Sequence, residues 1–318
     1  MTFNILIIIL FIFCIFCTLA FACGYNEFEY CENFVQSYPS QVSSFDRPMQ
    51  SVVRPIVPKI MWTYWTSSTE GNTKGNTEGN TEDNTEDNAL EIVPEIVSIC
   101  ESTWKTNAPN YTIHRLNKKT VNRWLTSLPQ GWENLPPYRQ SDIVRLLLLE
   151  KYGGVWIDAS TVLLRNPDTF IDPRDVTFFT TPRSTLENPV FENWFISAPP
   201  NNEIIKQWAS EVVRALHDPI PYMDQSPNEH KTMIGNYPYL ICHLVIKNIY
   251  ERDKNLFNKI KVHDSRKTAF FYHEKNNWID LPKTLLNEPF DPDKLLVKLR
   301  GKDRDGMDSK LLLERIKN

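Results

Sequence analysis

The sequence has no excess of positive charge. Its 35 lysines and arginines are balanced by 39 aspartates and glutamates, which gives a formal net charge of −4 over 318 residues. Proteins that bind nucleic acid usually carry a basic surface, so this balance indicates no nucleic-acid partner. Outside one apolar run the chain also lacks pairs of cysteines spaced two residues apart. A zinc site of the common four-ligand kind is therefore not indicated either.

Charge is absent altogether from Ile5 to Ala22. This run has a length between that of a signal-peptide core and that of a membrane span. Ala20-Phe21-Ala22 fits a cleavage site, but the run is long for a signal peptide and no Lys or Arg precedes it. Residues 1–22 are therefore either a signal anchor or a signal peptide. Both alternatives predict the secretory pathway: a lumenal, Golgi-type type II protein held in the membrane through residues 5–22, or a protein secreted after cleavage behind Ala22.

The remainder of the chain divides by composition. Residues 23–57 are polar and irregular, and we expect them to form a stem. Residues 71–88 repeat Gly-Asn-Thr and Asp-Asn-Thr, cannot bury apolar surface, and are predicted to be a disordered insertion. Strands that alternate with helices over residues 58–318 predict one α/β domain with a mostly parallel sheet.

The cysteines outside the apolar run fall into two groups. Cys23 and Cys31 are close in sequence and are the simplest disulfide pair in an oxidising compartment. Cys100 and Cys242 lie in apolar helical sequence and are interpreted as buried thiols.

Hydrophobic periodicity predicts the individual elements of the domain. Strands are expected at 56–65, 111–116, 162–166 and 177–181, and helices at 94–105, 118–128, 204–216 and 239–250. The segment 217–239 is rich in Pro, Asp, Asn and His and is predicted to be a long loop. A loop of that length inside a compact domain is usually functional, so we expect it to bind the acceptor of any transfer reaction.

The segment from Ser141 to Val162 is the most informative part of the chain. Ser141 suits a helix N-cap, and a carboxylate at Asp142 suits the first turn. The apolar helix should end at Gly153 and Gly154, and a short strand should follow. Asp158 then comes where that strand ends, and the carboxyl ends of strands are where open α/β sheets bind ligands.

Two charged residues lie within this apolar helix. Asp142 and Arg145 are three residues apart, so they share one helix face. One interpretation is a structural ion pair between them. The other is that both face the same crevice as Asp158, where Arg145 would bind an anionic group and Asp142 would bind hydroxyls.

The pattern Ser141-Asp142-x-x-Arg145 followed by Tyr152-Gly-Gly-Val-Trp-Ile-Asp-Ala-Ser160 resembles the sugar-nucleotide signature of DXD-containing glycosyltransferases. It is most similar to their capsular-polysaccharide-synthesis-like branch. Three weaker matches occur in the expected order at 58–65, 102–111 and 192–195. The resemblance covers roughly residues 58 to 300. It implies a GT-A fold, which is Rossmann-like, and a nucleotide-diphospho-sugar donor.

The resemblance also implies roles for individual residues. Asp158 would bind a divalent metal, Mn²⁺ or Mg²⁺, while Asp142 would hold sugar hydroxyls and Arg145 the sugar or the phosphate. The other donor-binding candidates are Trp62 beside the nucleotide base, Tyr64, Asn193, Trp194 and, in the basic C-terminal segment, Arg300. One position departs from the pattern, because Ser160 stands where the wider superfamily has a second Asp. Losing that carboxylate removes a charge from the metal site, although the Ser160 hydroxyl could still serve as a ligand. A further metal ligand would be one of four histidines, namely His230, His243, His263 and His273.

These features predict a glycosyltransferase that moves a sugar from a nucleotide-diphospho-sugar to a glycan or other hydroxyl acceptor with the help of a metal. The alternative is a catalytically silent sugar- or nucleotide-binding protein with the same fold, which Ser160 would favour. A glycoside hydrolase needs two carboxylates across one bond, and no such pair stands out in the sequence.

Overall fold

The computed structural model describes residues 54–66, 93–279, 281–287, 290–291 and 293–317. The chain from Arg54 onward forms one compact unit. The apolar run, the cysteines at 23 and 31, the stem up to residue 53 and the predicted insertion at 71–88 lie outside the described residues. Within the described ranges no helix is both long enough and apolar enough to cross a bilayer.

A six-stranded sheet forms the centre of the domain. In chain order the strands are β1 (Ile60–Tyr64), β2 (Thr112–Leu116), β3 (Gly154–Ile157), β4 (Thr161–Leu163), β5 (Thr177–Phe179), β6 (Phe195–Ala198), β7 (Lys261–His263) and β8 (Leu296–Lys298). The order across the large sheet is β2-β1-β3-β6-β5-β7, and β6 runs antiparallel to both of its neighbours while the other pairings are parallel. The predicted α/β domain with a mostly parallel sheet is therefore confirmed.

Helices cover the sheet. They are α1 (Glu95–Asn107), α2 (Pro137–Tyr152), α3 (Glu203–His217), α4 (Pro219–Gln225), α5 (Asn228–Ile234), α6 (Ile241–Arg252), α7 (Phe271–Lys275), α8 (Leu281–Asn287), α9 (Gly301–Asp305) and α10 (Ser309–Lys317). Because successive strand residues point to opposite faces, Trp62 and Trp156 pack with α2, α3 and α6, whereas Met61 and Val155 belong to the core on the other face.

The helix that precedes β3 is longer than predicted at its start. Pro136 is its N-cap and Pro137 is its first residue, where a missing backbone N–H costs nothing. Ser141 is therefore not the N-cap, and Asp142 lies inside the helix rather than at its first position. The predicted end is correct, because Gly153 caps α2.

The two glycines between α2 and β3 are required by geometry. Both have positive φ, 64° at Gly153 and 99° at Gly154. A Cβ at Gly153 would lie 2.6 Å from the nitrogen of Pro200, and one at Gly154 would lie 2.6 Å from the carbonyl oxygen of Ile60. The close approach lets β3 enter the sheet beside β1, with Asp158 directly after its carboxyl end.

Three other predicted elements differ from the structure. The helix expected at 118–128 is a single 3₁₀ turn at Val121–Arg123, because the Asn117 side chain accepts from the backbone N–H groups of Lys119 and Thr120 and closes a turn there. The loop expected at 217–239 contains α4 and α5. A proline opens one of these helices and directly precedes the other. Because proline is common both at helix starts and in loops, the sequence pattern alone does not distinguish a short helix from a loop here.

The strand expected at 162–166 is not an edge of the large sheet. It is β4, which pairs antiparallel with β8 in a separate two-stranded ribbon, with Thr161 opposite Lys298. This pairing brings the C-terminal segment next to Asp158.

The buried thiols are as predicted: Cys100 and Cys242 are free and buried, and burial raises the pKa of Cys100 to about 12.

Candidate active site

A cavity of about 670 Å³ opens at the carboxyl ends of β1 and β3. This is the edge of an α/β sheet where ligands are expected. Its polar lining includes Asp142, Arg145, Asp158, Ser160, Asn193 and Lys298. Side chains from α2, from the ends of two strands and from the C-terminal ribbon thus converge on one volume.

Asp142, Arg145 and Asp158 form a continuous ion-paired group in this cavity. The Arg145 guanidinium donates to Asp142 Oδ1 at 2.8 Å and to Asp158 Oδ1 at 3.2 Å. It also lies over the ring of Trp156, with its Cζ 5.0 Å from the ring centroid. Because Arg145 is only 4% exposed, these partners fix its charge in place. The two residues therefore form an ion pair and also face the same crevice as Asp158, while their roles toward an anionic group and toward hydroxyls stay predictions.

The two carboxylates have different environments. Burial raises the pKa of Asp142 above its usual range, and Arg145 only partly offsets this. Burial would also raise the pKa of Asp158, but Lys298 and Arg145 together hold that pKa below its usual value. The pKa values of the two carboxyl groups are therefore shifted in opposite directions.

The predicted metal ligands have a different cation beside them. The ammonium of Lys298 lies 3.0 Å from Asp158 Oδ2 and 2.9 Å from Ser160 Oγ. The other oxygen of Asp158 accepts from Arg145 and from the indole N–H of Trp156. A Mn²⁺ or Mg²⁺ site needs several oxygen ligands with surplus negative charge, whereas here one carboxylate already faces two cations. In this arrangement the residues do not fit a divalent metal.

The four candidate histidines add no metal ligand beside Asp158. In the described part of the chain, no group of three or more His, Cys, Asp or Glu residues could hold a metal ion. Each of the four histidines has another partner. His230 bonds to Asn248, His243 to Glu192, His263 to the carbonyl of Phe170 and His273 to Asp303.

Sequence comparison places these residues in a known family. The family model described as "Capsular polysaccharide synthesis protein" matches residues 87–272, which is more than half of the chain and includes α2, β3 and Asp158. This protein belongs to the capsular polysaccharide synthesis family. The resemblance inferred from the sequence is thereby confirmed. No curated protein matches the chain in sequence.

Solved structures similar to this capsular polysaccharide synthesis family member include three glycosyltransferases. The PaToxG glycosyltransferase is 15% identical, with a TM-score of 0.41 and a match that covers 83% of this chain and 88% of the other. A glycosyltransferase involved in the glycosylation of the major capsid of PBCV-1 is 12% identical, with a TM-score of 0.39 and coverages of 82% and 98%. The glycosyltransferase GlyE of Streptococcus pneumoniae TIGR4 is 12% identical, with a TM-score of 0.33 and coverages of 69% and 60%.

The structure places most of the predicted donor-binding residues of this family member around the cavity. Tyr64, Asn193, Trp194 and Arg300 all line it. Asn193 donates to Asp142 Oδ1 at 2.9 Å, and Arg300 is held by both oxygens of Asp303. These contacts orient two of the predicted side chains before any ligand binds.

Trp62 is the exception, and the prediction that it stacks on a nucleotide base is wrong. Its side chain has no exposed surface, packs against His114 and Trp124, and donates from Nε1 to the carbonyl of Gly153. Alternate residues of a strand face opposite sides, and this position faces the covered core. Trp65, at the end of β1, lines the cavity instead.

Two other features of the site were missed or underestimated. Lys298 lies in the basic C-terminal segment, where only Arg300 was predicted to be a site residue, because the contact of Lys298 with Asp158 depends on the pairing of β4 with β8. Glu192 and His243 form a buried pair, with 3.0 Å between Oε2 and Nε2. A carboxylate next to the predicted Asn193 was the available signal for that pair.

A second cavity, of about 570 Å³, adjoins the first. The two cavities share five lining residues, which are Glu192, Leu240, His243, Phe270 and Arg300. Met233, Ile234 and Asn236, from the segment predicted to bind an acceptor, line the second cavity.

Proposed function

We propose that this protein is a glycosyltransferase that moves a sugar from a nucleotide-diphospho-sugar donor to a hydroxyl group of a glycan. The observation that carries the proposal is the convergence of Asp142, Arg145 and Asp158 on one cavity at the carboxyl end of β3. Membership of a polysaccharide-synthesis family supports the same reaction class.

In the proposed reaction the bond between the anomeric carbon and the diphosphate oxygen breaks. The electron pair leaves with the nucleoside diphosphate, the acceptor oxygen bonds to the anomeric carbon, and the hydroxyl proton leaves with the diphosphate or the solvent. The departing negative charge is the main barrier, so fixed positive charge beside it accelerates the step. Arg145, Lys298, Arg300 and Arg304 line the cavity and supply that charge.

The polar groups deeper in the cavity suit the sugar. Asp142 lines the cavity, and a carboxylate oxygen accepts hydrogen bonds from sugar hydroxyls. The amide of Asn193, which donates to Asp142, lies beside it. Tyr64 and Trp65, at the end of β1, provide aromatic surface for the nucleotide base.

The second cavity is the proposed acceptor site. It meets the donor cavity at Glu192 and His243, so an acceptor hydroxyl there would reach the anomeric carbon at the junction. Trp278 lines this cavity, and an indole ring is a common stacking partner for a sugar ring.

The test is release of nucleoside diphosphate from a panel of UDP- and GDP-sugars, with and without glycan acceptors. We expect Asp158→Asn to lower turnover by about a hundredfold or more. Asp293→Asn, an exposed aspartate paired with Arg165, is the matched control and should keep wild-type turnover. Thermal unfolding of both variants separates loss of chemistry from loss of fold. Tight donor binding without turnover by the wild type would instead favour a silent binding protein.

A further inference from the structure

Lys298 occupies the place where the family resemblance puts a divalent cation. Its ammonium bridges the two predicted metal ligands, Asp158 and Ser160, at 3.0 and 2.9 Å. The Lys298 side chain is 12% exposed, so its charge is largely removed from water and depends on these partners. The side chain also lines the donor cavity, so the bridge lies at the surface that a ligand would meet.

Ser160 is matched to this lysine rather than to a metal. Its hydroxyl donates to the carbonyl of Leu299 at 3.0 Å, which leaves a lone pair on Oγ to accept from Lys298. An aspartate at this position would place an acceptor-only carboxylate against that carbonyl oxygen, with no proton between them. The backbone N–H of Leu299 also donates to the carbonyl of Ser160. Ser160 therefore fixes the segment that carries Lys298.

Lys298 retains capacity to bind an anion. An ammonium has three N–H donors, and two of them are used by Asp158 and Ser160. The third is available to a phosphate oxygen in the cavity. Arg300 and Arg304 line the same cavity, and Nε of Arg304 is buried without a hydrogen-bond partner among the described residues. The cavity thus brings Lys298, Arg300 and Arg304 together beside Asp158.

We propose that Lys298 takes the place of the divalent metal and binds the donor diphosphate directly, so that donor binding needs no metal. This inference rests on the proposed function, because it assumes that the ligand is a nucleoside diphosphate. It makes Ser160 a positioning residue for Lys298.

The first experiment uses the wild-type protein after treatment with EDTA. UDP, GDP and pyrophosphate are titrated calorimetrically in EDTA, and again with saturating MnCl₂ or MgCl₂ in place of the chelator. We expect at least one of these ligands to bind in EDTA, with an affinity that metal changes by no more than about twofold.

The second experiment uses variants at one position. Lys298→Met should weaken diphosphate binding by about tenfold or more, because a charged hydrogen bond to phosphate is lost. Lys298→Arg should restore most of it, since a guanidinium also binds both carboxylate and phosphate. Lys302→Met, an exposed lysine four residues away, is the matched control and should leave the affinity unchanged. Binding of uridine or guanosine, which lack the phosphates, should be the same in all of these variants.

A third variant tests the pairing of Ser160 with the lysine. The double change Ser160→Asp with Lys298→Ala provides two carboxylates and removes the competing cation, so diphosphate binding should now depend on Mn²⁺. Electron paramagnetic resonance of Mn²⁺ reports this directly, without an assay of turnover.

The outcomes separate the two proposals. Binding of diphosphate by the wild type only when Mn²⁺ or Mg²⁺ is added would overturn the role of Lys298 and leave the proposed function intact. Unchanged diphosphate affinity in a folded Lys298→Met variant would also overturn the role of Lys298 and leave the proposed function intact. If none of the three ligands binds with or without metal, the proposed function fails and this inference fails with it.

Discussion

Arg145 forms ion pairs with two carboxyl groups, and the surroundings of these groups shift their pKa values in opposite directions. Asp142 is buried and 6% exposed, whereas the Asp158 side chain is 26% exposed and receives a second cation. The same guanidinium therefore leaves one pKa raised and the other lowered. The lowered pKa keeps Asp158 charged, and its Oδ2 lies 3.0 Å from the ammonium of Lys298.

The Asp142–Arg145 pair gives a stability prediction. Arg145→Met leaves Asp142 buried without its main partner, and such a loss costs about 3–5 kcal/mol of the free energy of unfolding. Replacing both residues, with Asp142→Leu and Arg145→Met, should recover most of that loss because no buried charge is then unpaired. Urea denaturation measures both values. A double variant as unstable as the single one would contradict this account.

A surface pair provides the control for this measurement. Lys105 is 65% exposed and pairs with Glu101 on α1. Lys105→Met should change the free energy of unfolding by no more than about 0.5 kcal/mol, since exposed ion pairs contribute little.

The site residues differ in how far apart in the sequence the residues that they contact lie. Asp142, Arg145 and Asp158 meet through one helix, one turn and one strand, so their spacing along the chain was enough to predict a shared crevice. Lys298 reaches the same place from the far end of the sequence through a three-residue strand. Trp62 was misassigned because the sequence does not reveal which face of a central strand is covered.

At the scale of elements, the junction between α2 and β3 positions the edge of the sheet that carries Asp158. Gly153 and Gly154 have positive φ and approach neighbouring backbone closely. Their place in the sequence predicted the end of the helix and the start of the strand correctly. The start of α2 was not predicted, because the N-cap is Pro136 rather than the polar N-cap that the pattern suggested.

Gly154→Ala tests how tightly this junction is packed. The new Cβ would lie 2.6 Å from the carbonyl oxygen of Ile60 and would also force a side chain onto φ of 99°. We expect a loss of about 2–4 kcal/mol in the free energy of unfolding, measured by urea denaturation. Donor affinity should fall as well, because β3 carries Asp158.

Gly131→Ala is the matched control for strain without a clash. Gly131 has φ of 78°, but an added Cβ meets no atom within 4 Å. We expect Gly131→Ala to lower the free energy of unfolding by about 1 kcal/mol, which is the effect of the left-handed conformation alone. Equal losses at the two positions would show that close packing of β3 against β1 is not what constrains Gly154.

The molecule as a whole combines two layers of helices with a ribbon that lines one side of the cavity beside Asp158. The layers follow from alternation of apolar residues, and this is why the fold class was predictable. The β4–β8 ribbon, in contrast, joins distant segments through short strands, and short strands carry little periodic signal. The β4–β8 ribbon, which completes the site, is therefore the part of the fold that the sequence does not predict.

Three histidines that are buried or partly buried predict how the stability of the whole domain depends on pH. Burial lowers the pKa of His114, His263 and His273 below the value of an unfolded chain. The unfolded state therefore takes up protons first as the pH falls, and stability should decrease from about pH 7.5 to about pH 6. Each histidine contributes at most about 1.4 kcal/mol per pH unit. Urea denaturation across this window measures the slope.

His263→Gln isolates one contribution to this slope. His263 donates from Nε2 to the carbonyl of Phe170, and a glutamine amide replaces that donor without titrating. The variant should lose less stability than the wild type between about pH 7.5 and pH 6. The raised pKa of Asp142 acts in the opposite direction, since the folded state binds that proton more readily. An unchanged slope in the variant would mean that burial of His263 does not couple its protonation to folding.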